Sequence, residues 1–259
     1  MEEKHKQAVL ETDVRERLYP KPGDPFYLHL SDLLIAVKAA ATEDPIALLD
    51  FGAGFCPYRP LFPKTNYLRA DLPADGGAGK LGREEVYPDP DCVILPDGRV
   101  DYESGKVDYV LSTQVLEHVR DPEIYLSEAF RLLKPGGKLF LTTHGTWPDH
   151  GSPYDFRRWT PDGLKYDIEK AGFSVQRVQK LTTGPRAILW FLEMYLSTDD
   201  TPTRRTALGI WHWLCRMVPR RFIDQQVDLL YSNCRVVSST EPGHKIYLCL
   251  AALAEKPLK

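Results

Sequence analysis

Paired cysteines are absent from this sequence of 259 residues. Its five cysteines are scattered, with no CxxC pair and none of the spacings typical of zinc ligands. This excludes a small domain stabilised by disulfides and predicts reduced thiols in a cytoplasmic protein. The cysteines are Cys56, Cys92, Cys215, Cys234 and Cys249.

Long apolar segments and a strong charge imbalance are also missing. The densely charged N-terminus lacks the apolar core of a secretory signal, and no apolar run approaches the roughly 20 residues that span a bilayer. With 33 Lys and Arg against 36 Asp and Glu, the net charge of -3 creates no overall field that favours nucleic acid or an acidic membrane. We therefore expect no nucleic-acid partner, and any membrane contact must be local.

A regular alternation of strand and helix patterns is present. Seven short runs predict strands, and several of them are apolar on both faces, as in a parallel sheet covered by helices. Helical patterns with clear start and stop signals lie between them. The alternation predicts a doubly wound α/β sheet. The predicted strands are residues 46–51, 66–72, 91–95, 107–112, 137–143, 173–181 and 245–253.

Two segments depart from a minimal version of this fold. Residues 73–91 are rich in Gly and Pro and predict a loop where a helix would otherwise follow the second strand. Residues 184–240 place aromatic-rich helical patterns before the last strand and predict a helical insertion or cover. We expect a single domain over residues 1–259, with residues 1–44 as an N-terminal helical extension.

The first predicted strand runs into Asp50 and a glycine turn. Gly52 and Gly54 allow the backbone to approach a ligand closely. The dinucleotide fingerprint needs a third glycine where this chain has Pro57, which disfavours a nicotinamide cofactor. Asp71 ends the next strand, where a carboxylate accepts hydrogen bonds from both hydroxyls of a ribose. Either feature alone is explained by a turn or a strand end, but their combination predicts a nucleoside-containing ligand.

Four motifs in this order resemble those of the class I S-adenosylmethionine-dependent methyltransferases. They are LLDFGAGFCPYRPLF (48–62), YLRADL (67–72), LPDGRVDYESGKVDYVLSTQVLEHVRDP (95–122) and LLKPGGKLFLTTHG (132–145). The chain is most similar to the methyltransferase type 11-like group that acts on small molecules, over roughly residues 46–180. The resemblance implies a Rossmann-like, seven-stranded, mostly parallel sheet with an antiparallel last strand, and S-adenosyl-L-methionine as cofactor.

The resemblance also implies the residues that bind this cofactor. The glycine turn would line its methionine part, Asp71 would bind the ribose, and the end of the fourth strand would face the methyl donor. The chain departs from the family at Cys56, where a third glycine is frequent. For Glu117 and His118, after the fourth strand, we favour a structural role over a catalytic one. The implied cofactor-binding residues are Asp50, Phe51, Gly52, Ala53, Gly54, Asp71, Leu72, Asp97, Gly98, Ser112 and Gln114.

The loop after the fifth strand is the predicted acceptor side, because ligands of open α/β sheets bind at the carboxyl ends of the strands. A histidine near neutral pH suits the base that would remove a proton from an acceptor hydroxyl. We predict His150 as this base, with His144 as second choice. The predicted substrate-binding residues are Trp147, Tyr154, Arg157, Arg158 and Trp159.

Structural roles compete with these predictions. Asp155 and a neighbouring arginine would fix the loop as an ion pair, and Trp147 and Trp159 would serve as core anchors. A metal site built from His144, Asp149, His150 and Asp155 is the minority interpretation, since these residues have no metal-ligand spacing. We therefore predict no metal.

The sequence predicts a methyltransferase that transfers methyl groups to oxygen on a small-molecule, sugar or lipid-linked acceptor. The alternative is a non-catalytic protein of the same fold that binds S-adenosylmethionine or acts as a scaffold. A nucleic-acid methyltransferase is disfavoured, because STQV (112–115) stands where enzymes that methylate base amines have an Asn-Pro-Pro-Tyr-like motif.

Residues 184–240 suggest one further partner. An apolar helix face flanked by arginines suits an acceptor with a greasy tail or peripheral contact with a membrane surface. Aromatics buried against the sheet, with solvated arginines, are the competing interpretation. The aromatic residues are Trp190, Phe191, Tyr195, Trp211, Trp213 and Phe222, and the arginines are Arg204, Arg205, Arg216, Arg220 and Arg221.

Overall fold

The computed structural model describes residue 12 and residues 14–73, 89–197 and 217–258. Five α-helices and eight strands have defined bounds within these ranges. The helices are α1 (Tyr27–Ala40), α2 (Pro122–Leu132), α3 (Pro161–Lys170), α4 (Gly184–Ser197) and α5 (Arg220–Leu230). The strands are β1 (Ala47–Phe51), β2 (Asn66–Asp71), β3 (Cys92–Val93), β4 (Val107–Thr113), β5 (Leu133–His144), β6 (Ser174–Thr183), β7 (Val236–Ser238) and β8 (Tyr247–Glu255).

The strands form one sheet in the order β3-β2-β1-β4-β5-β8-β6-β7. Neighbouring strands from β3 to β5 pair in parallel, and β8 pairs antiparallel with both β5 and β6. All seven predicted strands are present, and the antiparallel last strand is confirmed. The eighth strand, β7, is three residues long, pairs with β6 and comes from the predicted insertion. Such a short strand carries too little periodicity to be recognised from sequence.

The central strands are apolar on both faces because each face is covered by helices. On β1, Leu49 packs into a core with α2 and α3, whereas Leu48 packs into a second core with α1, α4 and α5. On β5, Leu139 packs into the first of these cores and Phe140 into the second. Alternating side chains point to opposite faces of a strand. The result confirms a doubly wound α/β sheet.

A buried network of charged side chains joins the helices of the second core. Arg186 of α4 donates two hydrogen bonds to Asp32 of α1, each 2.9 Å long, and one of 2.9 Å to Asp228 of α5. Arg235 adds a bond of 3.0 Å to Asp32 and an ion pair with Asp228. The side chains of Asp32 and Arg186 are inaccessible to solvent. We call Asp32, Arg186, Asp228 and Arg235 the paired cluster.

Several predictions fall outside the described residues or only partly inside them. Most of the predicted loop at residues 73–91 lies outside, as do Cys215, Trp211, Trp213, Arg204, Arg205 and Arg216. Within the described parts of the predicted insertion, α4 and α5 are helical. Among the described helices, none has the length and apolar character needed to cross a membrane.

Candidate active site

The candidate site lies at one edge of the sheet, where the carboxyl ends of β1, β4 and β5 are adjacent. β1 pairs with β2 on one side and β4 on the other, so the chain order of the strands reverses between β1 and β4. In open α/β sheets the ligand crevice lies outside the carboxyl ends of the strands at such a point. The loops that follow these three strands therefore supply the candidate residues.

The turn after β1 needs glycine for geometric reasons. Gly52 has a φ of +80° and Gly54 a φ of +51°, a region that other residues rarely adopt. A Cβ on Gly52 would lie 2.6 Å from Cγ1 of Val115, in the turn after β4. Cys56, which stands where the related family often has glycine, also has a positive φ of 52°. The chain thus keeps a glycine-like backbone at this position without the glycine.

Asp71 ends β2 with its carboxylate fixed by two backbone amides. Oδ2 accepts a hydrogen bond of 2.7 Å from the amide of Gly54, and Oδ1 accepts one of 2.7 Å from the amide of Leu72. Burial raises the pKa of Asp71 above its usual value, and the two amide bonds oppose this shift. Each oxygen retains a second lone pair. The carboxylate is therefore oriented before a ligand binds.

Asp50 is buried at the end of β1. Its Oδ2 accepts a hydrogen bond from the hydroxyl of Tyr67, while Oδ1 has no hydrogen-bond partner among the described residues. Burial raises the pKa of Asp50 to about 7. A buried acceptor without a partner is unusual, and a donor on a bound ligand would satisfy it.

The side chains of two predicted cofactor-binding residues, Phe51 and Ser112, are packed in the core. The ring of Phe51 stacks on that of Tyr125, with 4.0 Å between centroids. Oγ of Ser112 lies 2.8 Å from the hydroxyl of Tyr125, which donates to the carbonyl of Phe51. The side chain of Ser112 therefore packs between β4 and α2. This corrects the expectation that it faces the methyl donor.

The other predicted cofactor residues occupy turns. Asp97 and Gly98 lie between β3 and β4, where Gly98 has a φ of +85°. A Cβ at Gly98 would lie 2.9 Å from Cγ2 of Ile124, so this turn rests against the start of α2. Gln114 directly follows β4, and its side-chain amide donates a 3.0 Å hydrogen bond to Thr142 of β5. Gln114 thus lies at the edge where β4 and β5 end.

Arg158 organises the loop after β5. It makes a two-pronged ion pair with Asp155, at 2.6 and 2.8 Å, and donates to the carbonyls of Trp147, Pro148 and Arg157. These bonds use all five guanidinium donors. The structure therefore favours the alternative of an ion pair that fixes the loop, and we withdraw Arg158 as a substrate-binding residue.

Trp159 is also a structural residue. It is 6% exposed, and its indole nitrogen donates a 2.9 Å hydrogen bond to Asp167 of α3. Its carbonyl accepts a hydrogen bond from the hydroxyl of Tyr247. The core-anchor interpretation therefore applies to Trp159, which we likewise withdraw from the substrate-binding set.

The remaining residues predicted to bind substrate lie along the same loop. Arg157 is exposed and donates a 2.6 Å hydrogen bond to the carbonyl of Arg120, after β4. The carbonyl of Tyr154 lies 2.7 Å from Nδ1 of His118. These contacts connect the predicted acceptor loop to the turn after β4.

Histidines converge beside this surface. The ring centroid of His150 lies 4.6 Å from that of His144 and 4.7 Å from that of His118. His144 stacks on Trp147 with 4.3 Å between centroids, and Trp147 also contacts His29 of α1. His144 is 3% exposed, whereas the side chain of His150 is 34% exposed. The two histidines chosen from the sequence are therefore neighbours, and His150 is the more accessible.

Glu117 is fully buried and lies next to His144. Its Oε2 accepts a 2.8 Å hydrogen bond from Thr143, and its Oε1 lies 3.2 Å from Nδ1 of His144 without the alignment of a hydrogen bond. Burial raises the pKa of Glu117 to about 7 and lowers that of His144 far below its usual value. We call Glu117, His144 and His150 the unpaired cluster.

Sequence analysis recognised Glu117 and His118, favoured a structural role for them, and did not connect His29 or Cys249 with this site. His29 and Cys249 reach the cluster from α1 and β8, with 3.7 Å between Nδ1 of His29 and Sγ of Cys249. No sequence signal connects residues so far apart in the chain.

The predicted cover contributes both buried and exposed aromatics. Trp190 is 2% exposed and lies 4.5 Å from Trp147 between ring centroids. Phe222 is 53% exposed, and Arg220 is paired with Glu193 at 3.1 Å. Trp190 therefore follows the competing interpretation of aromatics packed against the sheet.

Comparison with known proteins identifies the domain type. A methyltransferase domain model matches residues 29–178, which is more than half of the chain. Two curated relatives are ubiquinone biosynthesis O-methyltransferases. That of Xanthomonas oryzae pv. oryzae is 48% identical over 46 residues, covering 18% of this chain and 19% of the relative. That of Pseudomonas aeruginosa is 33% identical over 98 residues, covering 31% and 42%. The matches span less than half the length of these relatives.

Solved structures share the fold at low identity. Phosphoethanolamine N-methyltransferase 2 of Haemonchus contortus, in complex with S-adenosyl-L-methionine, has a TM-score of 0.51 and 18% identity, covering 96% of this chain and 56% of that one. A possible histamine N-methyltransferase of Thermotoga maritima has a TM-score of 0.53 and 16% identity, covering 99% and 100%. These similarities support the Rossmann-like methyltransferase fold.

Proposed function

Because this chain belongs to the methyltransferase domain family, we propose that it methylates an oxygen atom of a small-molecule, sugar or lipid-linked acceptor. It is a methyltransferase with S-adenosyl-L-methionine as methyl donor. The names of the curated relatives favour oxygen as the acceptor atom. The observation that carries the proposal is the group of imidazoles beside the turn at the carboxyl ends of β4 and β5.

The residues after β1 and β2 fit a nucleoside-containing donor. Asp71 is held by the amides of Gly54 and Leu72 and would accept hydrogen bonds from the ribose hydroxyls. The unpartnered Oδ1 of Asp50 would accept a hydrogen bond from a donor at the methionine end. When bound, the sulfonium of S-adenosylmethionine supplies an electrophilic methyl group, so the protein has to align donor and acceptor.

His150 is the better placed of the two proposed bases. His144 is almost fully buried, and its pKa is so far below the usual value that it is a weak proton acceptor. The side chain of His150 is partly exposed, although burial also lowers its pKa below the usual value. Of the two imidazoles, His150 is the more accessible to an acceptor hydroxyl, with a side chain that is 34% exposed against 4% for His144. We therefore keep His150 as the base that deprotonates the acceptor and treat His144 as its support.

Methyl transfer to a panel of acceptors tests the proposal. The purified protein is incubated with isotopically labelled S-adenosylmethionine and matched phenols, sugar alcohols, amines and extracts of its source, and products are identified by mass spectrometry. We expect label on oxygen. Label on nitrogen or carbon alone contradicts O-methylation. Binding of S-adenosylmethionine without transfer to any acceptor or extract component supports the non-catalytic alternative.

A further inference from the structure

The unpaired cluster contains three buried polar atoms without hydrogen-bond partners among the described residues. They are Oε1 of Glu117, Nδ1 of His144 and Nδ1 of His150. One oxygen of Glu117 and one nitrogen of each imidazole lie within 4.8 Å of one another. Unsatisfied buried polar atoms are rare in native proteins. Three of them in one place share one simple explanation, which is a common ligand.

The separation of the two most buried members suits a metal ion. Oε1 of Glu117 and Nδ1 of His144 are 3.2 Å apart. With metal-ligand bonds of about 2.1 Å, adjacent ligands of a tetrahedral or octahedral ion lie roughly 3.0 to 3.4 Å apart. His150 lies on the loop after β5 and is the ligand that has to approach on binding.

We propose that Glu117, His144 and His150 bind a divalent transition-metal ion such as Zn²⁺ or Fe²⁺. Two imidazoles and one carboxylate are a ligand set that proteins use for these ions, and three protein ligands leave coordination positions open. The ion has a route of entry, because the side chain of His150 is 34% exposed.

Neighbouring residues provide the support that metal ligands need. Thr143 donates a hydrogen bond to the other oxygen of Glu117, which fixes the carboxylate. The backbone amide of His150 donates a 2.9 Å hydrogen bond to Asp155. Oδ1 of Asp155 lies 3.8 Å from Nδ1 of His150, too far for a hydrogen bond, and both oxygens of Asp155 are held by Arg158, so Nδ1 of His150 remains available to the ion.

A second group, His29, His144 and Cys249, also brings ligand atoms within 4.8 Å. It is less suitable, because Sγ of Cys249 already donates to the side-chain oxygen of Gln114 and contacts His29. All three residues are buried, which leaves no accessible member to admit an ion. The unpaired cluster is therefore preferred.

The role of the ion rests on the proposed function, although its binding does not. An ion beside the acceptor would lower the pKa of the acceptor hydroxyl, so that its proton passes to solvent before the oxygen takes the methyl group. With the metal bound, this replaces proton removal by His150. A hydroxylated acceptor that offers an oxygen ligand is therefore the expected substrate class.

Metal titration in the absence of methyl donor and acceptor tests the binding site. The tag-free full-length protein is treated with a chelator, desalted and titrated with Zn²⁺ by calorimetry and with Co²⁺ by visible absorption. We expect one ion per chain and Co²⁺ bands typical of nitrogen and oxygen ligands. Glu117→Gln and His150→Ala should each weaken binding by at least about 100-fold, because each removes a direct ligand.

His118→Asn is the matched control, because the ring centroid of His118 lies 4.7 Å from that of His150 but His118 is not a member of the unpaired cluster. It should bind the ion as the parent does. The proposal is overturned by the lack of stoichiometric binding, or by binding that survives His150→Ala and disappears in His118→Asn. If Glu117→Gln does not fold by circular dichroism, the loop variant His150→Ala decides alone. The titration fails or succeeds independently of methyl transfer.

Discussion

The paired and unpaired clusters are both buried polar groups near α1, but they differ in how their atoms are satisfied. In the paired cluster, the guanidinium of Arg186 meets the carboxylates of Asp32 and Asp228 with bonds of 2.9 Å. In the unpaired cluster, Glu117 and His144 lie 3.2 Å apart without an aligned hydrogen bond. The charged groups of the paired cluster satisfy one another, whereas three polar atoms of the unpaired cluster have no hydrogen-bond partner among the described residues and need a ligand to satisfy them.

This difference separates a structural role from a functional one. Burying charges is costly, and the cost is offset only when partners with good geometry remain in place. The paired cluster meets this condition and joins α1, α4 and α5. The unpaired cluster lacks such partners, so its burial costs stability. This cost is consistent with selection for binding or catalysis rather than for stability. Substitutions in the two clusters should therefore affect different measurements.

The largest loss of stability is expected for Arg186→Met. It leaves Asp32 buried and without its main partner, which should lower the free energy of unfolding by about 3 to 5 kcal/mol. Urea unfolding followed by circular dichroism measures the change. Arg177→Met, on the exposed face of β6, is the control and should change stability little. A loss below about 1 kcal/mol for Arg186→Met would contradict the structural role of the paired cluster.

His150→Ala should lower turnover and leave stability nearly unchanged, in contrast to Arg186→Met. Turnover is expected to fall by about 100-fold or more, as for the removal of a group that assists proton loss. The midpoint of urea unfolding should stay close to that of the parent, because His150 is partly exposed and its Nδ1 has no hydrogen-bond partner among the described residues. Steady-state kinetics with the identified acceptor provides the measurement. His244→Ala, whose imidazole contacts Thr183 on β6, serves as the control.

Asp71→Ala tests the donor side of the site, outside both clusters. Loss of the carboxylate that we propose binds the ribose should weaken binding of S-adenosylmethionine by about 1.5 to 3 kcal/mol. Isothermal titration calorimetry measures this affinity. Asp91→Ala removes a carboxylate that pairs with Arg69 before β3 and should leave the affinity unchanged. Equal affinities for Asp71→Ala and the parent would remove Asp71 from the cofactor site.

Asp50→Asn should change the pH dependence of stability. Burial raises the pKa of Asp50 from 3.8 to about 7, so between these values the folded state retains a proton that the unfolded chain releases. Stability therefore falls as pH rises through this window, with a slope of up to about 1.4 kcal/mol per pH unit. Urea unfolding at pH 5, 6 and 7 should show a flatter profile for Asp50→Asn. Parallel profiles would contradict the raised pKa.

Much of the fold was predictable because periodicity and turn signals are local. The apolar runs around Leu48 and Leu139 predict strands buried on both faces, and both strands are found at the centre of the sheet. The short β7 was missed, because its three residues are defined by pairing with β6 rather than by their own pattern.

The residues predicted for the donor side and those predicted for the acceptor side differ in how their side chains are engaged within the chain. Gly52, Gly54 and Asp71 lie in motifs with a fixed spacing, and the structure brings them together through the bond from Gly54 to Asp71. On the acceptor side, Arg158 and Trp159 had the residue types of a binding site but are engaged within the chain. Whether a guanidinium has spare donors depends on its neighbours in space.

The doubly wound sheet, the glycine turn after β1 and the methyltransferase family could be inferred from the amino-acid sequence, because each is encoded in residues close together in the chain. Which buried polar groups are satisfied became visible only in the folded chain. Glu117 follows β4, His144 ends β5 and His150 lies in the next loop, and the parallel pairing of β4 with β5 brings them together. Hydrogen-bond satisfaction is a property of positions in space, so residue order alone does not contain it.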